Sequence, residues 1–174
     1  MANPTMTLIA SNTVGSGGVS SVTFSSIPNT YTDLLVKASV RTSYAGADDY
    51  LRFSFNGSTS NFFAKVIDGS GTAAASYSFS GAGAGQISGK AVGNGATSST
   101  FSNSETYISN YLTANQKSYG FDGVNENNAT AAYMDLGANL WADTSAITSI
   151  TITTNYGPNF LQYSTFYLYG ISNS

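Results

Sequence analysis

Apolar and polar residues alternate with a period of two over most of this chain, and a helical period is nearly absent. Residues 33–42 show it best: Leu34, Val36, Ala38 and Val40 fall on one side, and Leu35, Lys37, Ser39 and Arg41 on the other. A strand with one buried face requires that pattern. Leu51, Phe53 and Phe55 alternate with Tyr50, Arg52 and Ser54 in the same way. Ala132, Met134, Leu136, Ala138 and Leu140 alternate with Tyr133, Asp135, Gly137 and Asn139, and Trp141 closes that strand, reading as core rather than as a ligand platform. Thr148, Ile150 and Ile152 oppose Ser149, Thr151 and Thr153, and Phe166 and Leu168 oppose Tyr167 and Tyr169. Weaker strands are predicted at residues 5–10, 19–24, 62–67, 105–111 and 119–125.

Turn residues separate these runs: Ile27-Pro28-Asn29, Asn56-Gly57, Asp68-Gly69 and Gly157-Pro158-Asn159. Asn56-Gly57 suits a two-residue hairpin, and the polar stretch 58–61 suits a longer loop equally well. About 8–10 short strands with polar turns predict an all-β fold, an antiparallel β-sandwich or a barrel. The 174 residues fit one domain spanning 1–174. Residues 69–104 are rich in Gly, Ala and Ser and hold a single charge, Lys90. They read as a long surface loop, a pair of weak strands, or an arm that orders against a neighbouring subunit. Gly81, Gly83, Gly85 and Gly89 do not form a phosphate loop, because no apolar strand leads in and no Lys-Ser/Thr follows.

Composition narrows the chemistry. The chain has no histidine, no cysteine, six Lys+Arg and nine Asp+Glu. It therefore lacks the usual group that titrates near neutral pH and the soft metal ligands. A nucleophile would need a base beside it, and no G-x-S-x-G elbow is present. The acids sit singly on polar faces and in turns, which reads as solvated charge rather than a paired-carboxylate hydrolase. The expectation is a non-enzymatic protein with no cofactor, no catalytic residues and no resident metal. Asp48-Asp49 and Glu126-Asn127-Asn128 are the two oxygen-rich turns where calcium could sit, although neither has D-x-D-x-D spacing.

The net charge of −3 and the scattered cations Lys37, Arg41, Arg52, Lys65, Lys90 and Lys117 argue against nucleic-acid binding. No apolar run reaches the length of a membrane span, and the N-terminus carries no secretory pattern, so synthesis in a cytoplasm is expected. Tyr50, Tyr133, Tyr167 and Tyr169 lie opposite the apolar faces of their strands, as do Lys37, Arg41 and Arg52. Tyr and Arg are enriched at interfaces, so these seven residues are the candidate subunit or partner contacts. Carbohydrate stacking on the tyrosine rings is another reading.

Several stretches, in order along the chain, resemble small virion proteins of tailed bacteriophages, notably marine and environmental ones. They are Thr7-Leu8-Ile9-Ala10, Phe24-Ser25-Ser26-Ile27-Pro28, Tyr31-Thr32-Asp33-Leu34, Phe55-Asn56-Gly57, Ile108-Ser109-Asn110-Tyr111, residues 126–133, Leu140-Trp141, residues 146–152 and residues 164–171. The resemblance implies a phage structural protein with a β-sandwich of jelly-roll type and carries over no catalytic residue. Short length and acidity favour a capsid decoration (cement) protein on the outer surface of the particle. Its expected partners are the major capsid protein and copies of itself, as a trimer. A tail, baseplate or fibre component with a receptor- or glycan-binding role is the alternative.

Overall fold

The computed structural model describes residues 5–125, 128, 132–157 and 159–172. Among them are twelve strands and one short 3-10 turn. The strands are β1 (Met6–Thr13), β2 (Ser21–Phe24), β3 (Asp33–Ser39), β4 (Asp48–Phe55), β5 (Phe62–Ser70), β6 (Ala73–Ser80), β7 (Ile87–Val92), β8 (Ser102–Ile108), β9 (Lys117–Asn125), β10 (Tyr133–Trp141), β11 (Ile150–Thr154) and β12 (Thr165–Ile171). They form an eight-stranded sheet, β1-β12-β3-β8-β9-β10-β5-β6, and a four-stranded sheet, β2-β11-β4-β7. Every strand pairing is antiparallel.

The connectivity is that of a jelly roll. Two four-stranded units, β1-β12-β3-β8 and β2-β11-β4-β7, face each other. The chain passes from one to the other at successive strands, except at β4 and β7, which are neighbours, and its first and last strands pair. Two hairpins are inserted into this frame: β5–β6 between β4 and β7, and β9–β10 between β8 and β11. Both join the large sheet beyond β8 and double its width. The two strands above the expected number are β6 and β7, which lie within residues 69–104.

The main core lies between the two four-stranded units. Val36, Val40, Phe53, Phe55, Ile150, Ile152, Phe166 and Leu168 are buried there, on the faces the alternation predicts. Trp141 is also buried, stacked on Phe62 and edge-on to Phe55 at 5.4 Å. Asn56 and Gly57 both have positive φ (53° and 73°), and Ser58 N donates to Phe55 O at 2.8 Å, which makes a type I′ turn. The turn does not close a hairpin, because β4 and β5 belong to different sheets. Asn56 Oδ1 accepts from Thr148 N and Ser149 N, fixing the crossing point against the start of β11.

β7 is buried along its whole length although it is an edge strand. One edge pairs with β4. Side chains of the large sheet satisfy the other edge. Ser104 Oγ donates to Lys90 O at 2.8 Å and accepts from Lys90 N, and Thr106 Oγ1 donates to Ser88 O. Asn125 Nδ2 donates to Ala91 O at 2.9 Å, and Asn139 Nδ2 to Ile87 O at 2.7 Å. A buried backbone edge demands such partners. This explains why the inner faces of β8, β9 and β10 carry Ser, Thr, Asn and Asp.

The same arrangement reverses the expected faces of β10. Tyr133, Asp135, Asn139 and Trp141 point inward, whereas Met134, Leu136 and Ala138 are exposed. The four-stranded sheet covers the inserted strands only through β7, and what meets β7 must hydrogen-bond.

Candidate interaction face and buried charge cluster

The outer face of the inserted half of the large sheet carries a row of residues in direct register across five strands. It runs Tyr107 (β8), Gly120 (β9), Ala138 (β10), Lys65 (β5), Ser78 (β6). The two smallest residues sit in the middle, so the face is troughed. Two adjoining concavities of about 710 and 680 Å³ run along the strands and share these five residues. The parallel rows on either side are Ser118, Leu140, Phe63, Ser80 and Glu105, Asp122, Leu136, Ile67, Ser76.

Leu136 pairs with Ile67 across the strands, and Leu140 pairs with Phe63. With Met134 they make an apolar stripe along β5 and β10. Ile67 and Leu136 are each 59% exposed and Met134 is 57% exposed. Contiguous exposed aliphatic side chains of this kind mark interaction surfaces. Tyr107 forms one wall. Its hydroxyl donates to Asp33 Oδ2 at 2.6 Å, and that bond, with burial, pushes the phenol up to about 12. β6 ends the sheet, and Ala73–Ser80 contains neither charge nor proline to blunt its free edge.

On the opposite face of the same strands, the jelly roll and its insertion meet at a cluster of charges. Lys90 (β7) has a fully buried side chain, and its Nζ lies 2.8 Å from both Asp48 Oδ2 (β4) and Asp68 Oδ2 (β5). The ring of Tyr50 lies under the ammonium, with its centroid 4.0 Å away, and that of Tyr133 lies 5.8 Å away. Tyr50 Oη donates to Asp68 Oδ2 at 2.9 Å, and Asn125 Nδ2 to Asp48 Oδ1 at 2.7 Å. Burial opposes the Lys90 charge, but the two carboxylates outweigh it and the amine stays protonated. Burial also raises the Asp48 carboxyl.

Asp135 is the anomaly. It is 2% exposed, it is the cross-strand partner of Asp68, and neither of its oxygens has a hydrogen-bond partner among the described residues. Its space comes from Gly123 on the adjacent strand, where a Cβ would approach Asp135 Oδ1 to 2.6 Å. Burial pushes its carboxyl up to about 8, Lys90 opposing only in part, so the group is protonated at neutral pH.

The sign of the pH dependence follows. The folded chain holds a proton that the unfolded chain releases near pH 3.8, so stability declines as pH rises from about 4 to about 8 and is flat above. At 1.36 kcal/mol per pKa unit the span is at most about 6 kcal/mol. Asp135→Asn should abolish this decline, so that the stability difference between variant and parent shifts in the variant's favour as pH rises from 5 to 9. Denaturant unfolding at pH 5 and pH 9 checks it, and parallel curves for the two proteins would refute it.

The seven residues expected as contacts do not form one surface. Lys37, Tyr167 and Tyr169 lie together on the outer face, where Lys37 pairs with Glu105 at 2.9 Å and the two rings stack 6.4 Å apart. Tyr50 and Tyr133 flank Lys90. Arg52 is half-buried on β4, beside Gly83. Arg41 is buried and hydrogen-bonded within the chain.

The acids are not all solvated either: Asp33, Asp49 and Asp135 are buried. Asp48 and Asp49 diverge to opposite faces of β4. Asp49 accepts from Thr42 Oγ1, Tyr50 N, Tyr156 N and Gly157 N, which fills it without a cation. Glu126 and Asn127 lie outside the described residues. Among the described residues no group of three or more acids is placed to hold a metal ion.

Sequence reasoning missed both the stripe and the cluster. Alternation reveals that two faces differ but not which one is covered. No family model matches this chain, and no curated protein is significantly similar to it.

Proposed function

We propose that this protein is a non-enzymatic structural subunit of a phage particle, a decoration protein that docks on the assembled shell through the outer face of its inserted strands. The apolar stripe of Phe63, Ile67, Met134, Leu136 and Leu140 carries this reading, because a free subunit has no other use for so much uncovered aliphatic surface. The jelly-roll frame and the uncharged free edge of β6 agree with repeated assembly, β6 being a place for a second copy to pair. The major capsid protein and copies of this chain are the proposed partners, and the outside of the virion its proposed location.

Ile67→Glu/Leu136→Glu should leave folding intact, since both side chains are exposed. It should weaken co-sedimentation with assembled shells by roughly 30-fold or more, the equivalent of about 2 kcal/mol at a hot spot. Unchanged co-sedimentation would sink this docking face. A virion carrying only a handful of copies would sink decoration.

A tail or fibre role with glycan binding is the second reading. The trough favours it, since Tyr107 and Phe63 stand beside Lys65, Ser78, Glu105 and Asp122. Binding of the purified chain to host glycans, lost in Tyr107→Ala and retained in Leu136→Glu, would select it.

A further inference from the structure

We infer that Lys90 and Asp68 condense into a side-chain amide that covalently joins the jelly roll to its inserted strands. The reacting groups are already in contact: Lys90 Nζ lies 2.8 Å from Asp68 Oδ2, with the lysine side chain wholly buried. They belong to different sheets, Lys90 to β7 and Asp68 to β5. As a plain ion pair the cluster is poorly composed. Two aspartates contact one lysine, a third, Asp135, lies on the strand beside Asp68, and neither of its buried oxygens has a partner among the described residues. Condensation would remove the Lys90 and Asp68 charges from the interior and leave the Asp48 carboxylate held by Asn125 at 2.7 Å.

The neighbours can carry each proton. Asp48 Oδ2, also 2.8 Å from Nζ, accepts a proton from the ammonium and frees the amine lone pair, while Asn125 steadies its other oxygen. Asp135 stands beside Asp68 on the adjacent strand and holds a proton at neutral pH, which it donates to the Asp68 carboxylate. The amine then attacks Cγ of Asp68, forming the N–C bond. One Asp68 oxygen leaves as water with its own proton and a second proton from the nitrogen. The proton parked on Asp48 returns to Asp135. The sum is Lys-NH₃⁺ plus Asp-COO⁻ giving one amide and one water, with no oxidant or co-reactant. Groups held this way react with effective molarities of order 10⁵ M or more, and the shielding of the site disfavours the reverse hydrolysis. The Tyr50 and Tyr133 rings supply the shielding.

Intact-mass spectrometry of the denatured full chain tests this without a variant. The protein should be lighter than its sequence mass by one water, and proteolysis should release a branched peptide joining Lys90 to Asp68. Lys90→Arg and Asp68→Ala should both show the full sequence mass. Asp135→Ala should fold by circular dichroism yet remain unlinked. The inference fails if the native chain keeps its full mass after prolonged incubation, or if the branch ends on Asp48. It does not depend on the proposed docking face, whose own test reads shell binding.

Discussion

Relative to the chain in which Lys90 and Asp68 are still an ion pair, Lys90→Met should lower the unfolding free energy by about 3–5 kcal/mol, the cost of stripping a buried charge from its partners, and relative to the amide-linked chain the loss of the cross-link adds to it. Asp48 and Asp68 would then face each other, with Asp135 alongside and no cation nearby. The Asp48 and Asp135 carboxyls, already raised by burial, would lose the cation that opposes the rise. The folded variant would therefore bind protons that the unfolded chain releases, and its deficit would grow as pH rises from about 4 and shrink toward acid. Replacing Asp48 and Asp68 by leucine in the same chain should recover much of the loss, because an apolar set of similar volume leaves no charge unpaired. Urea unfolding at pH 5 and pH 8 measures both effects. A cost below about 1 kcal/mol, or one indifferent to pH, would mean that the cluster does not fasten the inserted strands to the jelly roll.

The fold was largely legible in the chain. The strands whose apolar residues are large and regular, β3, β4, β11 and β12, appear with the predicted faces inward. Their pattern is fixed by one dry core, and a period of two is all such a core requires. β7 was not legible. Ile87-Ser88-Gly89-Lys90-Ala91-Val92 carries a glycine and a charge, yet every residue of it is buried. Its burial comes from pairing with β4 and from hydrogen bonds offered by Ser104, Thr106, Asn125 and Asn139, which lie 14 to 52 residues away.

The inversion of β10 follows from the same cause. Asp135 and Asn139 look like a solvent face until β7 is laid against them, and Met134 and Leu136 look like core until the narrow second sheet fails to reach over their side. The candidate docking face was hidden for that reason. Arg41 was hidden too, since an arginine among polar residues reads as surface when its acceptors are main-chain carbonyls.

Arg41 gives the second large effect. Its guanidinium is buried beneath residues 94–100 and makes no ion pair among the described residues. Nη1 donates to Thr97 O at 2.8 Å, to Thr100 O at 3.2 Å and to Thr100 Oγ1. Nη2 donates to Ala96 O at 3.0 Å and to Asn94 O at 3.3 Å. Burial lowers its pKa, but an arginine remains charged, so carbonyl dipoles and the Thr100 hydroxyl compensate it. Truncation to Ala would leave several of these carbonyls without a donor, at about 1–3 kcal/mol for each that water fails to reach. The net loss should be about 3–5 kcal/mol, lowering the melting temperature by roughly 10 °C in a chain of this size.

Lysine should rescue little of it. Its three donors on one nitrogen cannot reproduce a planar fork that bonds in two directions. Hydrogen exchange should show the amides of residues 93–96 losing protection first, because Gly93, Asn94 and Gly95 donate to Ala47, Tyr44 and Gly46 only while the loop is held down. If Arg41→Lys melts with the parent, charge alone suffices and the carbonyl cage is not what orders this end of the jelly roll.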